Sequence, residues 1–201
     1  MNELTLYLCR HGDTEWSPQR RLAGRTDLPL VEVGERNARQ LGVRLREVAF
    51  DRVLVSPLLR ARQTAALAGF DAVAQVDERL REMDFGRYEG QTVDEVRATH
   101  PGWLYLRDGC PDGEGPADVG ARADALLADV EAMGGQVALF AHSVILRVIA
   151  ARFLGLPAGS GRMFMLSPGA LSILGYDEVE AARAIAAWNE RQHLAAQAGY
   201  A

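Results

Sequence analysis

The sequence predicts an α/β fold: a three-layer sandwich whose mostly parallel central sheet is flanked by helices, with a short excursion over the sheet's C-terminal edge. Three observations predict it. Short apolar runs alternate with segments of helical spacing, the order that builds parallel strands joined by crossover helices. Three of those runs end abruptly in polar residues: Leu4–Cys9 in Arg10 and His11, Arg52–Val55 in Ser56, and Val137–Ala141 in His142. A chain of 201 residues, 48% of them hydrophobic, can also bury a full core as a single domain spanning residues 1–201.

Leu4–Cys9 reads as the first strand and is followed by a polar loop with Pro18, Gly24 and Pro29. From Gly34 to Val48, Ala38, Leu41, Leu45 and Val48 recur at helical spacing. Arg52–Val55 is a second strand stopped by Ser56-Pro57. That pair predicts a helix capped by Ser56, with Pro57 at its first position, running from Leu58 to about Ala68. Val73–Val76 predicts a third short strand. The pattern then loosens into an excursion over residues 85–116, with a helix near Val93–Thr99 and a turn-rich acidic run ending at Pro116. Trp103 and Tyr105 are expected to pack the excursion onto the sheet. A helix over Ala117–Met133 leads to the strand Val137–Ala141 and a buried helix over Val144–Leu154, closed by Gly155 and Pro157. Short strands are expected at Met163–Leu166, Leu171–Leu174 and around Ala184–Trp188.

Composition narrows the function. The net charge of −5 is a mild imbalance that argues against a nucleic-acid or anionic-membrane partner. All 22 basic residues are arginine, which excludes a Schiff-base lysine and the lysine of a phosphate-binding P-loop. A bound phosphate must be held by arginine, histidine and backbone N–H groups. No basic segment followed by an apolar run opens the chain, and no apolar run reaches the roughly 18 residues of a membrane span. Only Cys9 and Cys110 occur, which suits a reducing, cytoplasmic setting without disulfides.

Ligands of open α/β sheets bind just beyond the carboxyl ends of the strands. If the strands are parallel, Arg10, His11, Ser56, Arg60 and His142 gather at one edge. Two histidines, two arginines and a carboxylate are the parts that phosphoryl transfer through a phosphohistidine needs. Neutral His11 would attack phosphorus, and Arg10 and Arg60 would bridge phosphate oxygens with their planar forks. His142, expected to be protonated, would neutralise the transferred group. Glu82 would protonate the leaving oxygen and later activate water, with Asp84 and Glu78 as local rivals. A metal reading of the alternating His11, Asp13 and Glu15 is weakened by Gly12, which breaks the strand, and by the adjacent arginine. No metal or other cofactor is expected.

In that order the motifs resemble the histidine phosphatase superfamily, in its phosphoglycerate-mutase-like branch. Arg10-His11-Gly12-Asp13-Thr14-Glu15-Trp16 resembles the nucleophile motif, and Gly24-Arg25-Thr26-Asp27-Leu28-Pro29-Leu30 the second block. Ser56-Pro57-Leu58-Leu59-Arg60-Ala61-Arg62-Gln63-Thr64-Ala65 resembles the second-arginine signature. Glu82 with Gly86-Arg87-Tyr88-Glu89-Gly90 resembles the general-acid block, Phe140-Ala141-His142 carries the second histidine, and Trp188–Leu194 resembles the family's ending. The resemblance covers essentially the whole chain and implies that Ser17, Arg25 and Thr26 line the phosphate or substrate pocket. Ser143 and Val144 depart from the glycine that usually follows the second histidine, and bring a side chain, that of Ser143, close to the phosphate. Met83 stands where the mutases carry arginine, and the excursion lacks a paired Arg-Arg.

These departures favour hydrolysis of a phosphomonoester. A phosphomutase or a non-catalytic module that binds phosphorylated ligands are the alternatives. The segment Phe140–Pro157 resembles a bacterial subgroup similar to sugar-phosphate phosphatases, so the partner is expected to be a small phosphorylated sugar or related metabolite. A homodimer is common among such relatives.

Overall fold

The computed structural model describes residues 4–194. Six strands form one mixed sheet: β1 (Thr5–Arg10), β2 (Arg52–Val55), β3 (Ala74–Val76), β4 (Gln136–Ala141), β5 (Leu171–Asp177) and β6 (Ala182–Glu190). Their spatial order is β3-β2-β4-β1-β5-β6. The first four run parallel, while β5 and β6 are antiparallel to their neighbours.

Among the described residues six α-helices accompany them: α1 (Glu32–Leu45), α2 (Leu59–Leu67), α3 (Val93–Thr99), α4 (Tyr105–Asp108), α5 (Pro116–Met133) and α6 (Ser143–Phe153). Side chains alternate across a strand, and this alternation divides the core. Cys9, Val53, Val55, Ala138 and Phe140 pack with Leu41, Leu45, Ala61 and Ala65 of α1 and α2. Leu6, Leu8, Leu54, Val137 and Leu139 face the other way, onto α5 and α6. The central strand β4 is covered on both faces, hence its unbroken run Val137–Ala141.

Residues 85–116 pack as the sequence suggests. Phe85, Tyr88, Trp103 and Leu106 join the α5–α6 side of the core, and the Trp103 indole N–H donates to the Gly109 carbonyl at 2.8 Å.

Two local expectations are corrected. Ser56 does not cap α2, which begins at Leu59 with Pro57 outside it. Asp27, reaching over from the preceding loop, accepts the Leu59 N–H at 2.6 Å instead. Met163–Leu166 is no strand. A 3₁₀ turn occupies Ala158–Met163, and the chain to Leu166 is irregular, with the Met165 carbonyl taken by the Trp188 indole at 2.5 Å.

Candidate active site

Three adjacent parallel strands end level with one another. Register pairs Arg10 with Ala141 and Val55 with Phe140. The His11 amide continues the ladder to Ala141 O (3.0 Å), as Ser56 N does to Phe140 O (2.9 Å). His11, His142 and Ser56 therefore emerge together, and the two imidazoles stand 5.1 Å apart at 59°. Gly12 lets the chain leave β1 against α1, since a Cβ there would collide with the backbone of Gly34. Its N–H reaches Thr64 Oγ1 at 3.2 Å, which ties the turn to α2.

Hydrogen bonds fix both histidine tautomers. His11 Nδ1 lies 2.7 Å from Gly12 O, an acceptor only, so the proton sits on Nδ1 and Nε2 keeps its lone pair. Burial, with Arg60 and Arg10 nearby, holds His11 well below the ordinary imidazole range, and it stays neutral. His142 is fully buried and accepts the Arg60 Nε–H at Nδ1 (3.1 Å). Its proton is then on Nε2, donated to Ser56 Oγ at 2.7 Å. Burial and the charges of Arg60 and Arg10 also depress His142. The expected imidazolium is thus corrected to a neutral ring, because an arginine occupies the position a second proton would need.

The two arginines differ sharply. Arg60 is 1% exposed and spends its fork on the protein. Nη1 donates to Thr26 O (2.9 Å), and Nη2 to Ala23 O (2.8 Å) and, more weakly, to Gly24 O (3.3 Å). It pins the loop 23–26 beneath His142 and keeps little for a phosphate. Arg10 donates Nη1 to the Leu166 carbonyl, and its buried Nε has no partner. Burial lowers its pKa to about 10, against the favourable pull of Glu82. A buried guanidinium N–H without an acceptor is costly, and an anion would relieve it.

Glu82 is buried and closes the start of α6. Its carboxylate accepts from Val144 N (3.1 and 3.0 Å), Ile145 N (3.1 Å) and Met83 N (3.0 Å). The helix has no cap of its own at His142, so a carboxylate from another segment satisfies its first donors. The rival acids are engaged elsewhere. Asp84 binds Arg25 at 2.6 Å, and exposed Glu78 pairs with Arg81.

The remaining sequence-derived residues are divided. Ser17 Oγ accepts Thr14 N (2.9 Å) and shapes the loop after β1. Arg25 points outward, its side chain 79% exposed, while Thr26 contributes its backbone to Arg60 and to Glu89. Half-buried Ser143 opens α6, and its hydroxyl makes no hydrogen bond among the described residues.

Sequence reasoning misassigned Ser56 as a helix cap and gave no role to Glu89. Its carboxylate holds Gly24 N (2.9 and 3.0 Å) and Thr26 N (2.9 Å), forming the loop that Arg60 braces. The strand-end position of Ser56, level with His142, had already placed it at the edge of the site. Among the described residues no group of three or more His, Cys, Asp or Glu is placed to hold a metal ion, His11, Asp13 and Glu15 included.

Residues 6–191 match the family model of the histidine phosphatase superfamily (branch 1). The chain is 37% identical over 176 residues to an acid phosphatase of Mycobacterium tuberculosis (strain ATCC 25618 / H37Rv), covering 86% of each chain. It is 35% identical over 187 residues to "Probable phosphoglycerate mutase GpmB" of Enterobacter sp. (strain 638), covering 87% of this chain and 86% of that protein. The solved structure of a mycobacterial glucosyl-3-phosphoglycerate phosphatase superposes with a TM-score of 0.81 at 27% identity, over 94% of this chain and 99% of the other.

Proposed function

The chain belongs to the histidine phosphatase superfamily, branch 1, and from that premise we propose that it hydrolyses phosphomonoesters through a phosphohistidine on His11. One observation carries the reading. A neutral imidazole with a free Nε2 stands beside an arginine whose buried Nε lacks a partner.

In the first step the His11 Nε2 lone pair forms the N–P bond while the P–O bond to the leaving alkoxide breaks. Such a transition state is loose, and charge stabilisation and positioning supply most of the acceleration. Arg10 supplies the charge, and Glu82, entering this step as the carboxylic acid, gives its proton to the leaving oxygen. In the second step water attacks phosphorus, its proton passes to Glu82, and phosphate leaves with His11 restored. His142 offers one N–H, at Nε2, for which a phosphoryl oxygen would compete with Ser56. The Ser143 amide, at the start of α6, faces anions favourably.

The phosphatases among the relatives support hydrolysis of a small sugar phosphate or related metabolite. No described helix is long and apolar enough to cross a membrane. The mutase alternative draws on the relative named for that activity. Against it, Arg87, Arg97 and Arg107 of the excursion are already committed to Asp112, to the Trp103 carbonyl and to Asp108.

The test is phosphate release from phosphosugars, phosphoglycerates and p-nitrophenyl phosphate with a chelator present. Turnover that survives the chelator and is lost in His11→Ala is expected. Undiminished turnover by that variant, or phosphate shifted between positions without release, would overturn the reading.

A further inference from the structure

The segment Trp188–Leu194 stands out in the sequence, and the chemistry above gives it no part. Three of its side chains reach three alternate residues of the connection between α6 and β5. The Trp188 indole N–H donates to Met165 O at 2.5 Å, Asn189 Oδ1 accepts Ser167 N at 2.7 Å, and His193 Nε2 donates to Gly169 O at 3.0 Å. A carbonyl only accepts, so the His193 proton sits on Nε2. Other backbone groups of the same stretch hold the site. Leu166 O receives Arg10 Nη1, Ala170 O receives Arg10 N at 3.1 Å, and Gly169 N donates to His11 O at 2.9 Å.

The backbone is shaped for these contacts. Leu171 pairs with Glu190 and Ile173 with Ala187, so Trp188 and Asn189 together stand opposite the single residue Ser172. This is a β-bulge, a device that re-aims side chains and recurs beside active sites. Asn189 sits in it at φ 53°, the left-handed region that asparagine enters more readily than most side-chain-bearing residues. Its N–H is taken by Ser172 Oγ at 2.9 Å, and Ser172 is fully buried. A regular hairpin needs neither the extra residue nor the left-handed turn. Here they accompany an Asn189 Oδ1 aimed at Ser167, while the Trp188 ring packs on Phe164 with centres 5.1 Å apart.

Resting on the reading of Arg10 as the phosphate-binding charge of a hydrolase, we propose that Trp188, Asn189 and His193 form a clamp that positions Arg10, with Asn189 at its centre. The three side chains fix residues 165–169, and the Leu166 carbonyl within that stretch fixes the guanidinium. Arg10 depends on such support. Among the described residues Leu166 O is the one acceptor that orients its fork, and its buried Nε has no partner. A planar fork binds an anion well only when it is aimed, because hydrogen bonds weaken steeply away from linearity. The clamp residues are positioning residues: they act through Arg10 and His11 and touch neither substrate nor reacting atoms.

The experiment is a double-mutant cycle on the full-length protein, read as calorimetric affinity for orthovanadate, an anion of phosphate's shape. Asn189→Ala should weaken binding by about tenfold or more, the cost of one misplaced charge-assisted hydrogen bond. Asn189→Asp keeps the acceptor and tolerates the left-handed turn, so it should stay within about threefold of wild type. In an Arg10→Met background, Asn189→Ala should cost less than about twofold. If Asn189→Ala does not fold, Trp188→Phe removes the indole N–H, keeps the ring on Phe164 and runs through the same cycle, with a loss of about threefold expected beside Arg10. Equal losses in both backgrounds, or no loss beside Arg10, would overturn the clamp, since a merely structural contact is indifferent to Arg10. Coupling to Arg10 in a wild-type protein that releases no phosphate from esters would sink the hydrolase reading and leave the clamp standing.

Discussion

The floor of the site and its mouth are built on opposite principles. On the floor, His142, Ser56, Arg60, Thr64 and Glu82 are all buried, and their bonds are made to one another or to backbone. At the mouth, Arg10, Arg147, Tyr105 and Ser143 keep donors that nothing among the described residues accepts. A saturated network in a low-dielectric interior is rigid and intolerant of deletion, whereas unspent donors await a ligand. The floor therefore sets geometry and protonation, and the mouth sets what is bound.

Breaking the floor should give the largest effects. Arg60→Met leaves the carbonyls of Ala23, Gly24 and Thr26 without their donor and frees His142 Nδ1. At about 1–3 kcal/mol per orphaned group, the loss should be about 3 kcal/mol or more by urea titration, together with loss of turnover. A cost under about 1 kcal/mol would show that the loop 23–26 holds itself. Glu82→Gln should lower kcat by about 10²–10⁴-fold on alkyl phosphates, and much less on p-nitrophenyl phosphate, whose leaving group needs no proton. Equal losses on both would remove Glu82 as the acid and leave it as the cap of α6.

Acid probes the same contrast more gently. His11 and His142 are both depressed by burial, so the unfolded chain takes protons first as pH falls. Their contribution to stability is complete above the unfolded value of about 6.5. It is lost as pH drops from there toward their native values, at up to about 1.4 kcal/mol per unit for each ring. Urea midpoints should fall between pH 6.5 and 5, less steeply in His11→Ala. A flat profile would mean that neither ring is held below its unfolded value, and a halved slope that only one is.

Much of this was legible in advance. Apolar runs ending at Arg10, Ser56 and His142 gave the parallel sheet and the edge where the site lies, because strand termini are set by local pattern. The protonation of His142 was not legible, since it depends on a contact with Arg60 made 82 residues away in sequence. Arg60's own commitment to backbone was hidden for the same reason. The Met163–Leu166 run looked like a strand because its residues are apolar; exposed Met163 and Met165 show that their side chains are not spent on a core.

The central claim is that His11 is the atom-to-atom acceptor of the phosphoryl group. Rapid quenching of the wild-type protein with a radiolabelled phosphomonoester, followed by peptide mapping, tests it most directly. An acid-labile, base-stable phosphate on the peptide containing His11, absent from His11→Ala, is predicted. Label on another residue, or label that persists in the variant, would contradict it.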